Sequence, residues 1–164
     1  MLTIMLPKKQ LIEFLTKTIA AELAAITAAA INTYADATHA DSKPENKYDT
    51  RGLEASYLAG AQAKRVSEMK EVLAIFENLP IKHFTETQKI MTTALVKIRH
   101  NEKITFVLIM PKGGGQTVII EQQSVQVITP ESPLGKALIG KGVGDEFSIE
   151  LGDRFLEYEV LSLC

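Results

Sequence analysis

From Lys8 to Thr38 the chain contains neither glycine nor proline. Across that run Leu11, Leu15, Ile19, Leu23, Ile26 and Ala30 recur every three to four residues, the spacing of one helical stripe. Pro7 stands just ahead, where its missing N–H costs nothing. At about 1.5 Å per residue, some 32 residues make a rod of roughly 48 Å. A second helix is predicted from about Tyr48 to Glu77. Its later part places Val66, Met69, Leu73 and Phe76 at alternating spacings of three and four, a coiled-coil seam. The short segment Ser42-Lys43-Pro44-Glu45-Asn46 between the helices favours an antiparallel hairpin. Ala20, Ala21, Ala24, Ala25, Ala28, Ala29 and Ala30 are expected to let the helices approach closely while burying little area. A slender arm of this kind suits reach.

After Leu79-Pro80 the pattern changes to strands. Ala94 to Arg99, Ile104 to Ile109, Thr117 to Glu121 and Ser124 to Ile128 are rich in β-branched residues and are bounded by turn signals, notably Pro111-Lys112-Gly113-Gly114-Gly115. Ser132 suits a helix N-cap, Pro133 the first helical position and Gly140 the left-handed residue after a short helix. Gly142, Gly144 and Asp145 then turn into Phe147 to Leu151, which forms a hairpin with Phe155 to Leu161 around Gly152-Asp153. The expectation is α+β: an arm over 1–78 and a sheet domain with one short helix over 79–164.

Composition bounds the function. Each half carries nine basic and ten acidic residues, and the net charge is −2, so neither half is a basic nucleic-acid module in bulk. The single cysteine, Cys164, leaves no disulfide framework and no cysteine-based metal site. No secretory signal is read at Met1 to Pro7, and the apolar run Ile19 to Ile31 is short for a bilayer span and contains Glu22. A cytoplasmic protein with no membrane partner is expected. His39, His83 and His100 lack metal-ligand spacing. Gly113-Gly114-Gly115 lacks the Lys-Ser/Thr of a phosphate loop.

One stretch says more. Ser132-Pro133-x-Gly135-x-Ala137-Leu138-x-Gly140-Lys141-x-x-Gly144-Asp145, followed by Glu157-Tyr158-Glu159-Val160, resembles the C-terminal domain of the bacterial Gre transcript-cleavage factors. The resemblance implies an FKBP-like sheet domain behind an antiparallel coiled-coil arm. It also implies a factor that is no enzyme alone but lends active-site groups to RNA polymerase. His39, Asp41, Glu45, Asn46 and Tyr48 are similar to the family's arm tip. By that resemblance Asp41 and Glu45 are the catalytic carboxylates, donated to the polymerase through its secondary channel. There they would share a Mg²⁺ with the polymerase active site and promote cleavage of backtracked RNA; no cofactor is expected on the chain alone. Glu131, Ser132 and Pro133 match the corner that binds polymerase at the channel mouth. Arg51, Lys64 and Arg65 correspond to basic arm residues that contact the nascent RNA 3′ end, although solvated pairing with Asp49, Glu54 or Glu68 is the favoured account of them. Asp41, Ser42 and Asn46 also suit helix caps. Pro44 stands where the family has its glutamate, so Asp41 and Glu45 lie four residues apart instead of three. That shift motivates an alternative, a Gre-like or Rnk-like competitor that occupies the channel without stimulating cleavage. A peptidyl-prolyl isomerase is disfavoured, because such pockets are aromatic-lined and Phe147, Phe155 and Tyr158 belong to hairpin strands.

Overall fold

The computed structural model describes residues 7–38, 51–120 and 122–164. Helix α1 runs Lys8–Thr38 and α2 Arg51–Asn78. The sheet is built from β1 (Leu95–His100), β2 (Lys103–Ile109), β3 (Thr117–Ile120), β4 (Gln123–Ile128), β5 (Glu146–Leu151) and β6 (Arg154–Leu163), with the short helix α3 (Pro133–Leu138) between β4 and β5. The described residues group into two compact units. One is Phe14–Asn78; the other joins the chain up to Glu13 with Leu79–Cys164. The first turns of α1 therefore belong with the sheet, whereas the sequence reading counts them with the arm.

In the helical unit, Leu15, Ile19, Val66 and Phe76 are buried, and Leu23, Ile26, Met69 and Leu73 are partly so. The predicted seams are present on both helices. Glu22 of α1 pairs with Arg65 of α2 at 3.6 Å. The alanines behave differently from expectation: Ala20, Ala21, Ala24, Ala25, Ala28 and Ala29 are exposed, and only Ala30 is partly covered. The leucine and isoleucine stripe occupies the side facing inward, which turns the alanines outward. Alanine keeps α1 helical here through propensity, not through close packing. Taken as a whole helix, Lys8–Ala35 is long and apolar enough to cross a bilayer by length and composition. The shortness of Ile19 to Ile31 is therefore no argument about membranes.

The six strands lie in the order β3-β4-β2-β1-β6-β5. Every neighbouring pair is antiparallel except β2 and β4, where Phe106 to Ile109 run alongside Val125 to Ile128 in the same direction. The sheet is thus mixed. The chain leaves β2, skips a position to lay down β3, and returns as β4 in the gap, which forces β4 parallel to β2. A two-residue turn with Asn101 at φ 52° joins β1 to β2, and a bulge between Lys97 and Ile98 shifts the register of β1 against β6. One core contains Ile90, Val96, Ile98, Val107, Ile109, Ile128, Leu138, Val160 and Leu163, with Phe84, Leu134, Val143, Phe147 and Tyr158 packed against it.

Two residues near this core are unusual. Lys8 is only 6% exposed. Its ammonium donates to the carbonyl oxygens of Lys82 (2.5 Å) and Cys164 (3.0 Å) and sits 4.8 Å from the centre of the Phe84 ring. Burial pulls its pKa down to about 8, with Cys164 opposing that shift. Thr93, just before β1, has φ 74° and is 4% exposed. Its N–H reaches Ile109 O at 2.8 Å, but its buried hydroxyl has no hydrogen-bond partner among the described residues.

Candidate functional site: a capped corner at the start of α3

The loop from β4 into α3 is shaped by three local devices. Ser132 is the N-cap, with φ −64° and ψ 155°. Its Oγ accepts from Gly135 N at 3.0 Å and donates to Thr129 O at 2.7 Å, while its own N–H also reaches Thr129 O at 3.1 Å. Pro133 fills the first helical position. Gly135 is required for space: a Cβ there would lie 1.9 Å from Thr129 O and 2.9 Å from Thr129 C. The Thr129 carbonyl comes that close because Ser132 draws it in.

The exit of α3 is equally determined. Gly140 is left-handed at φ 82° and Gly144 at φ 85°. The Asp145 carboxylate accepts from Gly142 N at 2.8 Å and lies 3.7 Å from the Lys89 ammonium. The Gly142 N–H is the main cause of its lowered pKa; burial opposes, and Lys89 and Lys141 add to the lowering. Most of the motif Ser-Pro-x-Gly-x-Ala-Leu-x-Gly-Lys-x-x-Gly-Asp therefore serves shape. What it presents outward is Glu131 and Pro133 at one end, Lys136 in the middle and Ile139 at the other, while Gly135 and Leu138 point inward.

The other predicted residues fall into two groups. Asp41 and Glu45, with His39, Asn46 and Tyr48, lie outside the described residues. Arg51 is the first residue of α2. Lys64 pairs with Glu68 at 3.8 Å and Arg65 with Glu22 at 3.6 Å, so both cations already have carboxylate neighbours within the arm. Among the described residues no group of three or more His, Cys, Asp or Glu side chains is placed to hold a metal. An open depression of about 450 Å³ lies over β1, β5 and β6, lined by Arg99, Glu146, Ser148, Glu157 and Glu159 among others. Arg99 is ion-paired with Glu159 there. Phe147 and Tyr158 stack with centroids 5.3 Å apart and pack against the core, which leaves them a structural role.

Comparison with known proteins points to the same domain as the capped corner does. Residues 88–163 match the family described as "Transcription elongation factor, GreA/GreB, C-term". The transcription elongation factor GreA of Clostridium acetobutylicum is 27% identical over 124 residues, covering 75% of this chain and 72% of that protein. GreA of Chlorobaculum parvum is 27% identical over 130 residues, covering 77% and 74%. Residues 88–163 are thus similar to the C-terminal domain of the GreA/GreB factors, and about three quarters of the chain is similar to GreA. Among solved structures, Thermus aquaticus Gfh1 aligns at 17% identity over 90% of this chain and 92% of that one, with a TM-score of 0.37. The GreA/GreB factor of Nitrosomonas europaea aligns at 16% over 68% and 91%, with a TM-score of 0.36.

Proposed function

We propose that this factor binds RNA polymerase through the Glu131-Ser132-Pro133 corner and carries its arm tip into the polymerase's secondary channel. There it acts on backtracked complexes and promotes cleavage of the nascent RNA near its 3′ end. The observation that supports this most is the corner itself. Glu131 and Pro133 are exposed on a turn whose conformation Ser132 and Gly135 leave little freedom to change. A rigid donor-satisfied corner binds without first being ordered, which lowers the cost of association.

At the tip, Asp41 and Glu45 are the groups that would hold a Mg²⁺ shared with the polymerase active site. Their chemistry suits that ion, which is commonly bound by one or two carboxylates with substrate phosphates and water completing the shell. A second metal would help clamp the phosphoryl displacement. Lys64 and Arg65 contact RNA in this reading only by exchanging Glu68 and Glu22 for phosphate. The factor works in the cytoplasm with polymerase and nascent RNA as its partners, and without a membrane.

Pro44 favours a second reading. Proline disfavours a helical conformation in the residue before it, and Pro44 sits inside the Asp41 to Glu45 spacing. A displacement of about 1 Å at a reacting centre can cost roughly 100-fold. A factor with that defect would occupy the channel and exclude genuine cleavage factors. A cleavage assay on a stalled, backtracked polymerase decides between the two. Faster RNA shortening on adding the protein supports the first; binding without cleavage, together with inhibition of an added cleavage factor, supports the second. No binding to core polymerase refutes both.

A further inference from the structure

The sheet ends in two strands with a single neighbour each, β3 and β5, and its two edges are finished differently. β5 is guarded. It carries exposed Glu146 and Glu150, lies beside Glu157 and Glu159 of β6, and packs against α3. β3 carries no charge and no proline. Its sequence, Thr117-Val118-Ile119-Ile120, is β-branched throughout, and between Lys112 and Glu131 the sole charged residue is Glu121. Ile119 is 74% exposed, the most of any large apolar side chain among the described residues. Gln116 and Gln123, near the two ends of β3, each keep a buried side-chain oxygen without a hydrogen-bond partner among the described residues, so this rim also has acceptors in excess.

The start of the hairpin fixes which way each main-chain group of β3 points. Gly115 N donates to Val127 O at 2.9 Å and Val127 N donates to Gln116 O at 2.8 Å. Gly115 and Gln116 thus face Val127 together across a bulge, with Gly115 at φ 97°. Bonded and non-bonded pairs alternate along an antiparallel ladder. Counting on from Gln116 and Val127, the bonded pairs are Val118 with Val125 and Ile120 with Gln123. Thr117 and Ile119 therefore turn their N–H and C=O groups outward, away from β4. Their side chains share one face, while Val118 and Ile120, both half-buried, lie on the other with Val125. Outward donors and acceptors at that spacing are matched by another extended strand.

We infer that β3 is the docking edge for a second copy of this chain, the two β3 strands pairing antiparallel about a two-fold axis through Val118. In that register Thr117 faces Ile119 of the second copy and Ile119 faces its Thr117. Both residues are outward-bonding, so each of the two pairs exchanges two main-chain hydrogen bonds. Val118 meets its own symmetry mate, apolar against apolar, and Ile119 is covered by the opposing threonine. Charge favours this occupant: an uncharged edge strand meets an identical one with no carboxylate or ammonium to desolvate. The pairing is self-complementary and closes on itself, and the glutamates of β5 keep the outer edges of the joined sheet from adding further copies. A four-residue strand is only about 13 Å long, so the dimer is a weak one.

Sedimentation velocity of the full chain tests this, with dimer expected to grow in between about 10 µM and 500 µM. Ile119→Pro deletes an outward N–H and leaves the ladder to β4 intact, so it should weaken the dimer at least about tenfold. Ile119→Lys should do the same by setting two ammonium groups diagonally across the axis, and it decides the matter alone if the proline lowers the melting temperature. The register is read by cross-linking in a Cys164→Ser background. Val118→Cys should form an intermolecular disulfide under mild oxidation, because its mate lies directly opposite at about 4.5 Å between Cα atoms. Ile120→Cys should not, its mate being four residues, about 13 Å, along the strand. A chain that stays monomeric to about 1 mM overturns the inference and leaves the edge to an extended segment of another protein. A dimer indifferent to both Ile119 substitutions, or one that cross-links equally through positions 118 and 120, overturns it as well.

Discussion

Replacing Thr93 by glycine should stabilise the sheet unit. A β-branched residue held at φ 74° sits in a region that L side chains rarely adopt, at a cost of order 1–3 kcal/mol. Its buried hydroxyl, lacking a partner, adds about 1–3 kcal/mol of uncompensated desolvation. Glycine removes both. Against this, the substitution forfeits one buried methyl, about 0.8 kcal/mol, and frees the unfolded chain by roughly 0.4–1 kcal/mol. Taking the lower end of each gain leaves a net stabilisation of about 0.2–0.8 kcal/mol, and mid-range values leave about 2.5. For a unit of some 90 residues each kcal/mol raises the melting temperature by roughly 4–8 °C. Urea and thermal unfolding followed by circular dichroism would measure it. Thr93→Val, which keeps the branch and loses the hydroxyl, separates the two contributions: its gain over the parent is the hydroxyl's share alone. The reasoning is refuted if Thr93→Gly is less stable than the parent, since neither strain nor an unpaired hydroxyl could then be what dominates at this position.

Lys8 has a folded-state pKa of about 8 against about 10.5 unfolded, so between those values the unfolded chain holds a proton that the folded chain has released. Its contribution to stability therefore rises with pH across 8 to 10.5, by no more than about 3 kcal/mol, and Lys8→Met should flatten that rise in urea titrations run at pH 7, 8, 9 and 10. Gly135→Ala places a methyl 1.9 Å from Thr129 O, so the backbone must move; a loss of at least about 1–3 kcal/mol and weaker polymerase binding are expected together. Asp41→Asn with Glu45→Gln should abolish stimulated cleavage while leaving polymerase affinity nearly intact, because the amides bind Mg²⁺ poorly. Undiminished cleavage by that double mutant would return both residues to the role of helix caps.

Local chemistry was the part of this structure that could be read in advance. Ser132, Pro133 and Gly140 announce the ends of α3 because capping involves only the few residues around it. The seam on α2 is likewise a matter of spacing along one helix. What depends on distant partners was invisible. No run of residues says that β4 will insert between β2 and β3, since the strand pattern is the same in either order. The alanines of α1 suit a tight helix interface and an exposed surface equally, and only the position of Leu15 and Ile19 decides which. Thr93 carries no turn signal at all: threonine is a strand-favouring residue, and the left-handed conformation is imposed by pairing to Ile109 on one side and by Ile90 bonding to Gly140 and Lys141 on the other. Lys8 reads as a solvated first-turn lysine until Lys82, Phe84 and Cys164 are brought around it. At the site, the motif that resembles the Gre factors consists mainly of the residues that hold the corner still, and the exposed Met91 belongs to no motif.

The position of β6 has a consequence for how the protein is made. β1, the strand that carries Val96 and Ile98 into the core, is flanked by β2 on one side and β6 on the other. Its hairpin partner emerges from the ribosome at once, but β6 follows about sixty residues later, a delay of roughly 3–12 s at typical bacterial synthesis rates. Through that interval β1 presents an open, strongly apolar strand edge, the kind that recruits other chains. Nascent-chain aggregation, or engagement by chaperones, should therefore peak for ribosome-bound chains stalled between β2 and β6 and fall once Leu163 has cleared the exit tunnel.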